Sequence, residues 1–105
     1  MTKEQVQTMA FEIVMEAGDA LNCFYSAVTS YKKSRLQEAA EQLKAGKQHL
    51  IKTHQIQTDL IQAEANNEDI PYSLIMVHAQ DHLSTAMNWE RMAQLLIVDL
   101  NEELD

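Results

Sequence analysis

Two glycines and one proline in 105 residues leave this chain few ways to turn sharply. Turns draw on Gly and Pro for backbone angles other residues resist. A β-sandwich needs such turns repeatedly, and a dinucleotide-binding fold needs three closely spaced glycines for its first loop alone. Both are excluded, and a few long elements remain. Domains run to about 50–250 residues, so residues 1–105 are expected to form one domain. Hydrophobic residues are 46% and charged residues 23%, the balance of a globular chain rather than a disordered one.

The apolar spacing says which element. Val6, Ala10, Ile13, Ala17, Ala20, Phe24, Ala27 and Tyr31 recur in steps of four and three, one face of a long helix. Val14, Leu21 and Val28 widen the stripe. Thr2 with Gln5 fits a capping box and predicts a start near residue 3. Gly18 within the helix reads as a site of close helix packing. Ser34 with Gln37 predicts a second capping box and a second helix, whose face is Leu36, Ala39, Leu43, Leu50, Leu60 and Ile61. That face turns polar late, at His54, Gln57 and Glu64. Asn66-Asn67-Glu68-Asp69 is a polar turn, and Pro71 suits the first position of a third helix, reaching to near Glu103. A step of 3.5 from Leu74 predicts its seam: Val77/His78, Asp81, Ser84/Thr85, Asn88, Met92, Leu95. Short connections make neighbours antiparallel, so the expected fold is all-α, an up-down-up three-helix bundle. A second apolar row on the third helix (Ile75, Met76, Met87, Leu96) is more than a small bundle can bury, and self-association is expected to cover the surplus.

The net charge of −8 argues against nucleic acid or an anionic membrane surface as partner. Apolar runs of about four residues are far from the ~20 that span a bilayer. Met1–Gln5 lacks the apolar stretch of a signal peptide. Cys23 is the single cysteine, so the chain has neither an internal disulfide nor a thiolate zinc site of its own, and it reads as a core residue. A cytoplasmic location is expected.

The densest chemistry is His78-Ala79-Gln80-Asp81-His82. On a helix His78 shares a face with Asp81 and with His82. Two His four apart can bind a metal, but the metalloprotease pattern needs Glu where Ala79 stands. The segment is either a helix-surface pair or a site; the expected position of His78 and Asp81 at the seam favours a site, because a buried carboxylate must pair, bind a metal or shift its proton affinity. His54, Gln57 and Thr58 form a second cluster. They are either a solvated stretch or, if helix 2 runs back along helix 3, a group level with His78 and Asp81. His49 reads as exposed, Trp89 as packing or interface, and Lys32, Lys33 and Arg35 as a solvated helix end.

Val77-His78-Ala79-Gln80-Asp81-His82-Leu83, followed by Thr85-Ala86-Met87, resembles the signature of the enzyme IIA components of the lactose/cellobiose family of the bacterial sugar phosphotransferase system. Phe11-Glu12-Ile13-Val14 and Ala17-Gly18-Asp19-Ala20 are similar to that family's first helix. His54, Gln57-Thr58, Leu60 and Glu64-Ala65 are similar to its second. The likeness spans about residues 9–95. It implies a phosphocarrier in which His78 takes a phosphoryl group from the carrier protein HPr and passes it to a cysteine of the cognate enzyme IIB. It implies a homotrimer in which one Asp per chain, Asp81 by motif, meets its copies around a divalent cation. Three carboxylates there are like charges at close range, which a hard ion with oxygen ligands, Mg²⁺ before Zn²⁺, relieves. Gln80, His82, His54 and Gln57 are candidate supporters of the phosphoryl group. The family's turn between helices 1 and 2 is often Gly-Asp-Phe/Tyr, where this chain has Ser34-Arg35-Leu36. Ser84 stands where many relatives have Met. Asp99, Glu102 and Glu103 make the tail more acidic, which bears on partner choice. The competing reading is a helical adaptor whose His/Asp cluster is a structural polar network.

Overall fold

Thr2 starts the first helix as its sequence suggests. Its hydroxyl accepts from the Gln5 amide at 3.1 Å and the Gln5 side chain accepts from the Thr2 amide at 2.7 Å, so two of the unpaired donors of the first turn are satisfied reciprocally. In this computed structural model, backbone is described for residues 1–104 and side chains for residues 1–97. Three helices result: α1 (Lys3–Lys32), α2 (Leu36–Ala65) and α3 (Leu74–Leu104). They form a rod with extents of 51 × 20 × 16 Å. No strand occurs among the described residues. The acidic positions Asp99, Glu102 and Glu103 lie outside the described side chains.

The buried row of α1 is Val6, Ala10, Ile13, Ala17, Ala20, Phe24 and Ala27, the stripe its spacing predicts; Tyr31 is half-buried beside it. Phe24 packs on Gly46 of α2, and Glu16 meets His49. Residue numbers therefore rise along one helix while they fall along the other. α1 touches both other helices extensively, and α2 and α3 touch each other less.

The start of α2 differs from expectation. Ser34 is not its cap; it lies at φ 62° as the left-handed residue that ends α1. The amide of Arg35 donates to Ser30 O at 2.9 Å and that of Ser34 to Tyr31 O at 2.9 Å, the paired bonds of a Schellman ending. Arg35 occupies the cap position of α2 without a side-chain capping bond. Asn67, at φ 64°, ends α2 the same way. The third helix begins at Leu74 rather than Pro71: the Ser73 carbonyl accepts from Val77 N at 3.2 Å.

The glycines also exchange roles. A Cβ on Gly18 would meet nothing within 4 Å, whereas one on Gly46 would lie 2.5 Å from the Phe24 ring. Close packing is at Gly46.

The largest correction is the face of α3. The buried residues are Ala79, Leu83, Ala86, Ala93 and Ile97, with Ile75, Met76 and Met87 packed against them. The expected seam of Leu74, Val77, His78, Asp81, Ser84, Thr85, Asn88, Met92 and Leu95 is exposed. Both rows are rich in apolar groups, and the row with alanines at its centre is the one that lets α1 approach closely. On α2, Leu36 and Ile61 are likewise exposed, while Thr53 is fully buried with its hydroxyl donating to His49 O at 3.1 Å.

Candidate functional site

His78 and His82 sit one turn apart on α3, and their rings meet. The two Nε2 atoms are 3.0 Å apart, and the rings are edge-to-face with centroids at 4.5 Å. One nitrogen must carry the hydrogen and the other accept it. His82 is half-buried, and His78 is exposed. The stripe containing them continues through Thr85 to Trp89, whose ring lies 5.9 Å from that of Tyr25 on α1. The histidine pair is therefore on the α1-side flank of α3. Beside it, Leu74, Ile75, Val77, His78 and Asp81 line a shallow recess open to solvent.

Gln80 is two residues from His78, so the helix turns it to the opposite flank. There Gln57 Nε2 donates to Gln80 Oε1 at 2.7 Å, and Gln80 Nε2 lies 3.3 Å from Met76 Sδ. This bond joins α2 to α3. His54, on the same α3-facing flank of α2, lines a groove with Lys47, Leu50, Ile51, Glu90 and Gln94. Thr58 is exposed. Within one chain, then, the structure brings His82 to His78 and Gln57 to Gln80, and it holds the histidine pair on one flank of α3 and the glutamine pair, with His54, on the other. The expected level of the second cluster along the bundle holds for Gln57; convergence on His78 does not follow.

Asp81 is exposed, not buried in a seam, and makes no ion pair among the described residues. It stands in the exposed row with Leu74, Val77, Met92 and Leu95. One carboxylate is one ligand, so the donor set suits a hard cation only if other chains supply the rest.

Two interactions went unnoticed at the level of sequence. His49, expected to be exposed, is half-buried with Nδ1 2.6 Å from Glu16 Oε2, and Lys52 Nζ approaches the other oxygen of Glu16 at 4.0 Å. Their signal is the helical position of Glu16 on the α2 side of α1, which is readable only once the packing partner is known. Cys23 is half-buried rather than a core residue; burial first and the Asp19 carboxylate second push its thiol above the ordinary value of 9.0, so it is a poor nucleophile at neutral pH.

No described helix is long and apolar enough to cross a membrane. Comparison with known proteins agrees with the motif. The family model for the lactose/cellobiose-specific IIA subunit of the phosphotransferase system matches residues 8–100. The lactose-specific EIIA component of Staphylococcus epidermidis is 36% identical over 97 residues, 92% of this chain and 93% of the relative. The lichenan-specific enzyme IIA component of Bacillus subtilis is 36% identical over 101 residues, 96% of this chain and 91% of the relative. Among solved structures, PtcA from S. mutans superposes with a TM-score of 0.89 at 36% identity, covering 92% of this chain and 95% of that one. The cellobiose-specific enzyme IIA of Bacillus anthracis superposes with a TM-score of 0.86 at 31% identity, covering 99% and 93%. The chain belongs to the lactose/cellobiose-specific IIA family, the phosphotransferase components of the bacterial sugar phosphotransferase system.

Proposed function

We propose that His78 is the phosphoryl-accepting residue, taking the group from phosphorylated HPr and handing it to a cysteine of the cognate enzyme IIB in the cytoplasm. The transfer would serve uptake of a β-linked disaccharide, lactose or one of cellobiose or lichenan type. The supporting observation is the exposed imidazole of His78 with its Nε2 3.0 Å from His82 Nε2. With the hydrogen on His82, His78 Nε2 keeps its lone pair. As the phosphoryl group approaches, that lone pair forms the N–P bond while the donor's bond to phosphorus breaks. The freed His82 N–H then donates to a phosphoryl oxygen. The transition state is loose, so positioning and charge stabilisation supply most of the catalysis. Exposure of His78 suits a residue that must meet two partner proteins in turn.

Three such up-down-up bundles are proposed to assemble as a homotrimer. The exposed row of Leu74, Val77, Met92 and Leu95 supports this, since it is an apolar face with Asp81 in its midst. Three Asp81 carboxylates would hold Mg²⁺ or another divalent cation, whose charge offsets their repulsion and ties the chains together.

Incubation with phosphorylated HPr tests the reading. Wild type is expected to gain acid-labile, base-stable phosphate, and His78→Ala none, with helicity unchanged. Acceptance by His78→Ala, with His82→Ala as the inactive variant, contradicts the assignment; no phosphate on wild type makes the chain an adaptor.

A further inference from the structure

We propose that His78 and His82 together chelate a borderline divalent transition-metal ion, Ni²⁺ or Cu²⁺, and that the bound ion and the phosphoryl group exclude each other. Two imidazoles four residues apart on a helix present their nitrogens to one point. Here the Nε2 atoms are already 3.0 Å apart. Metal–imidazole bonds are ~2.0–2.1 Å. An ion equidistant from both nitrogens therefore subtends an angle of ~90°. That is the cis angle of square-planar or octahedral coordination, whereas a tetrahedral ion needs its ligands ~3.4 Å apart. Geometry and ligand softness thus both favour Cu²⁺ and Ni²⁺ over Mg²⁺, which prefers oxygen. The site is open: His78 is exposed, so water or a further ligand completes the coordination. A chain carrying a net charge of −8 attracts the cation to its surface.

The lone pair that binds the ion is the lone pair that attacks phosphorus. A metal on His78 Nε2 removes the nucleophile, and a phosphoryl group on His78 Nε2 removes the ligand. The exclusion rests on the proposed phosphorylation of His78; the chelation does not. The ion is also distinct from the proposed axial cation, since Asp81 contributes no nitrogen and need not take part.

Calorimetric titration of untagged, unphosphorylated protein with Ni²⁺, in excess Mg²⁺ that fills the proposed axial carboxylate site, tests the chelate. One Ni²⁺ per chain is expected. His78→Ala and His82→Ala should each weaken binding by about tenfold or more, since each leaves a single imidazole arm. Asp81→Leu should bind as wild type. His49→Ala should too, which separates this pair from the Glu16–Asp19–His49 group on α1 and α2, whose ligand atoms also lie within 4.8 Å of one another. Ni²⁺ should slow a single transfer from purified phospho-HPr, with EDTA restoring the rate, and phosphorylated protein should lose the site. No Ni²⁺ binding by wild type, wild-type binding by His82→Ala, or loss confined to His49→Ala overturns the chelate and leaves the phosphocarrier reading standing. Binding as expected with no phosphate acceptance overturns that reading and the exclusion with it.

Discussion

Gly46→Ala is expected to destabilise the fold, although it replaces the poorer helix former with the best one. A Cβ at residue 46 would lie 2.5, 2.8 and 2.9 Å from Cε1, Cδ1 and Cζ of Phe24. Carbon atoms prefer ~3.5–4.0 Å, so the ring must retreat by ~1 Å. Phe24 is 0% exposed and the largest fully buried side chain, so it has no free volume to enter. Overpacking of this kind costs about 1–3 kcal/mol, and three ring atoms in conflict place it in the upper half of that range. Helix propensity returns about 1 kcal/mol. The net loss is about 1–2 kcal/mol, a fall in Tm of roughly 5–15 °C for a domain of this size. Urea and thermal unfolding, followed by far-UV circular dichroism at one protein concentration, measure it. Phe24→Leu alone and combined with Gly46→Ala completes a cycle; the smaller side chain should absorb the clash and give a coupling of about 1 kcal/mol or more. A Gly46→Ala protein that melts at or above wild type refutes the packing argument, as does strict additivity in the cycle.

Leu74 and Leu95 are 71% and 61% exposed in one chain, and covering each would stabilise an assembly by about 1–2 kcal/mol per chain. Light scattering should give about three times 12.0 kDa for wild type and a smaller mass for Leu74→Glu/Leu95→Glu; equal masses count against that interface. Gln57→Leu removes the 2.7 Å bond to Gln80 and should lower stability by about 1 kcal/mol while leaving phosphate acceptance unchanged. A drop in acceptance without loss of stability would tie Gln57 to His78 after all. Ser34→Gly relieves a left-handed residue and should stabilise by about 1 kcal/mol, read as a rise in urea midpoint; no rise means that Ser34 carries no strain. Because the Cys23 thiol is pushed up in the fold, its share of stability is full below the ordinary value and falls as pH rises through the raised one. Iodoacetamide should therefore label Cys23 more slowly than a free thiol at pH 8, and the alkaline decline in Tm should be shallower in Cys23→Ala. Labelling at the free-thiol rate contradicts the shift.

The spacing of Val6, Ala10, Ile13, Ala17, Ala20, Phe24 and Ala27 was enough to name the buried face of α1, because that row is apolar without a break and α1 packs against both other helices. Thr2 and Gln5 marked its start, because a capping box is local chemistry. The contact between His78 and His82 was legible for the same reason: helical geometry alone places the two rings side by side. Where a helix offers two apolar rows, spacing could not choose. The row from Leu74 to Leu95 and the row through Ala79, Leu83, Ala86 and Ala93 both fit a helix, and only packing against α1 decided between them, since small side chains let the helix axes approach. Ser34 reads as a cap in the sequence, and the need to end α1 in a left-handed residue overrode that. Gly46 rather than Gly18 became the close contact because Phe24 of another helix faces it. Gln57 met Gln80, and Glu16 met His49, by the register of one helix against the next. That register is set by many contacts far apart in sequence, which no single segment encodes.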